Sequence, residues 1–360
     1  MRHLILFLAC VCVVTRAEQG PSSWTVVRVA AAGDLPLSGL VFAGDRTGWM
    51  CAGRNALLRT SDGGRNWSVL NTNLSKPNTE IARVWFRDER LGWAGGAVSH
   101  KPTIWRTTDG GGTWSLVYQW PRDYPDALGA ILDIQFVDQM HGWAVGFNGL
   151  KAMIVATADG GQRWTVQYVG AEITWQFKRV LFSDCRNGWV LSPDAIMLTE
   201  DGGESWGLRY FDSGLLNDLE VVKPSEVWAA GGWGHLLHTR DGVGWEQVPL
   251  APEANGGFCG WVKFASPNVG WASGVKGEVW ETRNAGKTWN RSASLLPMLP
   301  PDTDTGEMVL TATEAFIIAN PGTLLIHSIV RYGARPGLPV PWSPRLRLPD
   351  PPMIKLWNLL

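Results

Sequence analysis

Carboxylates recur in this 360-residue chain at one fixed place in a repeated phrase. Asp62, Asp109, Asp159, Asp201 and Asp241 each stand two residues after a Thr and directly before a Gly. The fullest copy, residues 107–114, reads Thr-Thr-Asp-Gly-Gly-Gly-Thr-Trp. Others occupy 60–67, 157–164 and 199–206; the copy at 239–245 is one residue short, and that at 282–289 has Asn284 for the Asp and Ala for the first Gly. Such a carboxylate can accept hydrogen bonds from backbone N–H groups just ahead of it, while the glycines supply positive φ. The closing Trp67, Trp114, Trp164, Trp206, Trp245 and Trp289 then start the next strand and cover the turn with a large apolar ring. Catalysis or metal binding needs carboxylates that converge. One per repeat spreads them around a ring, so these are expected to build corners rather than a site.

Other chemistry-bearing residues are sparse. Asp123 and Asp126 could supply the acid and base of glycoside hydrolysis, but the pattern does not isolate a converging pair. Gly286-Lys287-Thr288 imitates the end of a phosphate-binding loop, yet Glu281 stands where that motif requires Gly. His235 and His238 lie three apart on a strand and so face opposite ways. The sequence contains no His-Glu-x-x-His, Cys-x-x-Cys or Gly-x-Ser-x-Gly. No cofactor and no metal is expected.

The elements that position these residues follow from a second phrase upstream of each turn. An apolar run and a polar turn lead to Gly-Trp: Phe42 to Gly48-Trp49, Phe86 to Gly92-Trp93, Phe136 to Gly142-Trp143, Phe182 to Gly188-Trp189, Val221 to Val227-Trp228, Phe264 to Gly270-Trp271. The mean period is about 44 residues, that of a four-stranded propeller blade. Strand a is the apolar run, b the Gly-Trp-Ala-x-Gly segment, c the stretch entering the Asp turn, and d begins at the closing Trp. Gly and turn signals every 8–12 residues exclude helices. A seventh unit begins at Glu307, with Phe316 in the Trp position, and ends after strand c. The missing strand d stands at the other end of the chain, Trp24–Val29. The reading is therefore all-β: a seven-bladed propeller of four-stranded antiparallel blades, the last closed by the N-terminal strand so that no edge is left open. Six blades with a degenerate extension is the alternative.

Residues 1–17 read as a secretory signal: Arg2 and His3, an apolar stretch Leu4–Val14 too short to span a bilayer, and a small-residue cleavage site at Ala17. The protein is expected to be exported, to a periplasmic, lumenal or extracellular space. Residues 18–332 form the propeller domain, and 333–360 a Pro-rich C-terminal tail. With 32 basic and 33 acidic residues there is no electrostatic footprint for nucleic acid. No later stretch suits a transmembrane helix, and a monomer is expected. Cys51, Cys185 and Cys259, an odd set in separate repeats, read as small buried hydrophobes.

In such a blade the d–a and b–c connections share one face, away from the Asp turns. Irregular loops there are the candidate binding surface. The b–c connection of blade 2 reads as a long loop carrying His100 and Lys101. The connection from blade 2 to blade 3 carries Trp120, Arg122, Asp123 and Tyr124. Arg54, Phe147, Trp233 and Lys276 contribute from other blades. Aromatic, Arg and Asp side chains are the types that dominate binding hot spots.

The repeated turn resembles the Asp-box, or bacterial neuraminidase repeat. Sialidases and xyloglucanases also carry it. This chain lacks the Arg-Ile-Pro of sialidases, and is long enough for one propeller where xyloglucanases resemble two. The box joined to Gly-Trp-Ala-x-Gly, at this period and behind an export signal, resembles the photosystem II stability/assembly-factor family across residues 24–330. The resemblance implies a seven-bladed, non-catalytic, lumenal or periplasmic propeller. It also implies a role in photosynthesis, binding precursor D1 and early assembly intermediates, with an arginine patch implicated. The expected function is an exported scaffold that binds a protein partner such as a membrane-protein assembly intermediate. The alternative is a carbohydrate-active enzyme or lectin on the same scaffold.

Overall fold

The computed structural model describes residues 24–121, 128–170, 176–212, 215–232, 235–250, 259–274, 278–294 and 304–329. These form seven four-stranded antiparallel sheets, six built from consecutive strands. In the seventh, Thr25–Arg28 pairs with Thr323–Ser328 on the outside of the blade that begins at Asp304–Leu310. The termini therefore meet in one blade, as the orphan strand implies. The signal segment (1–17) and the tail (333–360) lie outside the described residues.

Strand a lines the axis in every blade: Leu37–Ala43, Thr79–Phe86, Gly129–Phe136, Arg179–Phe182, Leu216–Lys223, Val262–Phe264 and Asp304–Leu310. Alternate residues face the axis and the gap between blades, as the period of two requires. The last Phe of strand a enters that gap. There it stacks on the strand-b Trp of the preceding blade: Phe86 on Trp49 and Phe182 on Trp143 at 3.6 Å, Phe136 on Trp93 at 4.1 Å. The Trp that closes the blade's own turn meets the same Phe edge-on, as Trp114 does Phe86 and Trp206 does Phe182. This geometry accounts for the Gly of Gly-Trp. A β-carbon at Gly92, Gly142 or Gly188 would run into the ring of Phe86, Phe136 or Phe182.

The ring closes by the same device with substituted residues. Phe316, in the Trp position of blade 7, stacks on Phe42 of blade 1 at 4.5 Å. Asn320 adds a side-chain seam. Its Oδ1 accepts from the Leu37 backbone N–H at 2.7 Å, and its Nδ2 donates to the Leu37 carbonyl at 3.3 Å.

Two expectations are corrected. The b–c connection of blade 2 is not a long loop. Gly92–Val98 and Lys101–Thr107 pair to their ends, joined by Ser99 and His100 alone, both at positive φ. That is the backbone of a two-residue hairpin whose twist matches its strands. Cys185 is not a buried hydrophobe: it is exposed in an a–b turn, while Cys51 and Cys259 are buried. Their burial pushes both thiols up to about 12.

Candidate functional site

The repeated turns are satisfied internally. In blade 2 the Thr107 hydroxyl donates to Asp109 Oδ1 at 2.8 Å and accepts from Gly111 N–H at 3.0 Å. Thr113 N–H donates to the same carboxylate at 3.0 Å, and the Trp114 indole N–H returns to the Gly111 carbonyl at 2.8 Å. Hydrogen bonds from the Thr113 backbone, against a smaller effect of burial, hold Asp109 down at about 2. Asp62, Asp159, Asp201 and Asp241 repeat the pattern, and Asn284 substitutes with its amide oxygen. The five full-length turns are tied by backbone bonds to the neighbouring a–b turn, such as Gly110 N–H to the Arg90 carbonyl at 2.8 Å. The Asp turns and a–b turns thus share one end of the propeller. The d–a and b–c connections form the other, the loop face.

On the loop face, Arg54 is exposed and pairs with Glu80 of the next blade at 2.8 Å. His100 sits exposed at the hairpin tip, with Lys101 half-buried beside it. Pro102 reaches blade 3, where a β-carbon on Gly129 would collide with its ring and with the Phe147 carbonyl. Arg54, His100, Lys101 and Phe147 therefore occupy adjacent blades on one face. Trp120 is half-buried and packs inward on the cluster of Trp93, Ile104 and Phe136, so it wedges blades 2 and 3. Leu128 and Leu150, 59% and 71% exposed, add apolar surface that the sequence reading did not single out. Arg122, Asp123, Tyr124, Trp233 and Lys276 lie outside the described residues.

The sequence reading also missed the axial channel. Three residues before each strand-a Phe position stand Arg83, Asp133, Arg179, Asp218, Trp261 and Glu307, with Gly39 in blade 1. Two residues further along is a second ring: Val41, Trp85, Gln135, Leu181, Glu220, Lys263 and Val309. The first ring alternates in charge. Arg83 bonds Asp133 at 2.9 Å and Glu307 at 2.5 Å, the latter across the gap left by Gly39. Arg179 bonds Asp218 at 3.0 Å, and Lys263 bonds Asp218 at 2.7 Å. Backbone N–H groups complete the carboxylates: Val180 donates to Asp133 at 3.0 Å and Phe264 to Glu220 at 3.2 Å. Burial works against charge on Asp218 and Glu307. Lys263 and Arg179 overcome it for the first, and Arg83 and Arg179 for the second, so both carboxyls sit below their ordinary values. A signal was present: a charged residue at a constant offset of three from the apolar strand end.

A cavity of about 340 Å³ lies in this channel. The charged ring bounds it on one side, and Val41, Trp85, Leu181 and Val309 form its wall. Gly44, Ala265, Thr311, Ala312 and Ile329 stand at the end where the a–b turns lie. Among the described residues no group of three or more metal-ligating side chains is assembled. No described helix is long and apolar enough to cross a membrane.

Fold and repeat define a seven-bladed propeller whose blades are interlocked by Trp and Phe. The family model for photosynthesis system II assembly factor YCF48 matches residues 17–123 and 117–216, more than half of the chain. The chain belongs to that family. The structure of YCF48 bound to D1 peptide is similar at a TM-score of 0.68 and 18% identity, over 86% of this chain and 98% of that one. YCF48 from Cyanidioschyzon merolae follows at 0.64 and 18%, over 85% and 98%. The GH74 xyloglucanase from Xanthomonas campestris matches at 0.63 and 13%, over 87% of this chain and 55% of its own. At such identities the likeness is one of fold. No curated protein matches the chain in sequence.

Proposed function

We propose that this protein is an exported, non-catalytic propeller that binds a segment of a membrane-protein subunit and assists assembly of photosystem II or a related complex. Membership of the YCF48 family carries the reading. The D1 peptide bound to a protein of the same fold supplies the class of partner. The loop face supports it with cationic side chains, Arg54 and Lys101, beside His100 and the apolar Phe147, Leu128 and Leu150 on adjacent blades. The channel chemistry supports it as well. A glycosidase needs one carboxyl that keeps its proton near neutral pH. Asp218 and Glu307 are instead held ionised by the cations beside them.

The test is titration of the purified protein with a D1 peptide and a scrambled control, followed by fluorescence anisotropy. Lys101→Glu and Leu150→Asp are each expected to weaken binding about tenfold, the effect of losing about 1.4 kcal/mol, with an unchanged melting temperature. Equal binding of both peptides, or none, overturns the partner. Turnover of glycosides by the same preparation overturns the non-catalytic reading.

A further inference from the structure

The axial cavity and the loop face lie at opposite ends of the propeller, so a partner on the loop face leaves the cavity to another occupant. Its wall is an unusual place for apolar side chains. Val41, Trp85, Leu181 and Val309 are each only half-buried, and all four turn their exposed part to the same space. Trp85 rests on Phe136 and Trp93, at 5.0 and 5.7 Å between ring centroids, which fixes its indole as a rigid wall. The residues at the mouth are small, Gly44, Ala265 and Ala312 among them, so access is wide. The charged lining is three cations (Arg83, Arg179, Lys263) against four carboxylates (Asp133, Asp218, Glu220, Glu307), a balance of one negative charge.

The path of the chain distinguishes blade 7 from the others. In blades 1 to 6 strand c runs into a turn that carries the chain outward to strand d. In blade 7 that outer place is taken by Thr25–Arg28. After Ser328 the chain continues to Ile329, whose N–H donates to the Thr313 carbonyl of the a–b turn at 2.8 Å. The Ile329 side chain is buried and lines the cavity. The last described residue, Ile329, therefore stands at the cavity mouth, and residues 330–360 follow it in sequence. They include Leu338-Pro339-Val340-Pro341-Trp342-Ser343-Pro344, and they carry five basic residues against one acidic. Proline-punctuated apolar segments are the ones that dock into aromatic-lined recesses at low entropic cost.

We propose that residues 338–344 of the same chain occupy the axial cavity, with Trp342 against the Val41, Trp85, Leu181 and Val309 wall. Leu338 lies nine positions after Ile329, a reach of up to ~30 Å when extended, ample for a cavity that opens beside Ile329. The segment itself is uncharged and apolar, as the wall is, and the basic residues that flank it, Arg335 and Arg345, complement the net negative lining of the channel. The propeller then carries its own ligand at the turn end, and only the loop face is offered to a partner.

The test uses the full chain with the photoreactive residue p-benzoylphenylalanine at Leu181 or, in a second variant, at Val41. Illumination is expected to give an intramolecular cross-link that maps to residues 338–344. Cross-links confined to the propeller body, or no product at either position, overturn the proposal. A dimeric product also overturns it and assigns the cavity to a second copy. A measurement that leaves the propeller unaltered stands beside it. Hydrogen exchange at the rim turns 265–269 and 311–313 is compared between the natural chain and Trp342→Ala. The proposal expects exchange to rise about tenfold in the variant, as protection by a docked segment is lost; equal exchange refutes it.

Discussion

The indole N–H of Trp49 donates to the carbonyl of Gly110 at 2.9 Å, joining strand b of blade 1 to the Asp turn of blade 2. Trp93 reaches Gly161 at 3.3 Å and Trp143 reaches Gly202 at 3.2 Å. The two repeated phrases are thus halves of one joint, and each joint spans two blades. Where the turn of blade 5 is one residue short, the Trp189 indole goes instead to the Pro224 carbonyl at 3.2 Å.

Trp49→Phe keeps the stack on Phe86 and loses the bond to Gly110. It is expected to cost about 1 kcal/mol, the net worth of one hydrogen bond. Trp49→Ala removes the ring and leaves a cavity, at about 3–5 kcal/mol. Urea unfolding of both variants separates the contributions; equal losses would show that the bond to Gly110 contributes nothing.

Gly161→Ala combines a φ of 72° with a β-carbon driven into the Trp93 indole. Gly33→Ala meets only the strain of a φ of 59°, with no atom within 4 Å. The second substitution is expected to cost about 1–2 kcal/mol. The first should cost more, since the joint between blades 2 and 3 must open. Thermal melts of the two variants give the order directly.

Glu307→Gln leaves Arg83 and Arg179 buried without their shared carboxylate. Breaking a buried pair on one side costs about 3–5 kcal/mol, whereas an exposed pair is worth about 0–1 kcal/mol. Glu80→Gln, which breaks the exposed pair with Arg54, is therefore expected to be nearly neutral. Similar losses for both would place the Glu307 network outside the stabilising core.

Stability is expected to fall in acid. Asp218 and Glu307 have folded values below their ordinary ones. Their stabilisation is complete above the unfolded value of about 4 and is lost as pH falls through the folded value. The turn carboxylates act in the same direction, with Asp109 at about 2. Melting temperatures measured from pH 6 to pH 2.5 should drop most steeply below pH 4. Asp218→Asn should flatten that slope while lowering stability at pH 6.

Much of the blade was legible because its signals are local. The Asp–Gly–Gly corner, the Gly before Trp and the strand alternation each depend on neighbours a few residues away. Phe316 could be matched to the Trp position because the period held through the seventh unit. Irregular connections mark the loop face in the sequence, but Ser99 and His100 form a tight hairpin where the pattern reads as a long loop. The length of an irregular stretch does not reveal whether its residues pair. Trp120 shows a related limit of local pattern: that an aromatic residue in a connection packs between two blades is decided by its neighbours in space.

By itself the sequence determined the repeat and its period and pointed to the strand that closes the ring, since each is written in turn chemistry; the choice of seven blades over six was made by the pairing of Thr25–Arg28 with Thr323–Ser328. Tertiary structure decided what meets across the blades. Arg83 and Glu307 are 224 residues apart, and they meet past blade 1, whose residue at the same ring position is Gly39 and has no side chain. The same holds for the cavity beside Trp85 and the placing of Ile329 at its mouth. These depend on the curvature that brings seven inner strands around one axis, and no local pattern encodes which side chains will then face each other across it.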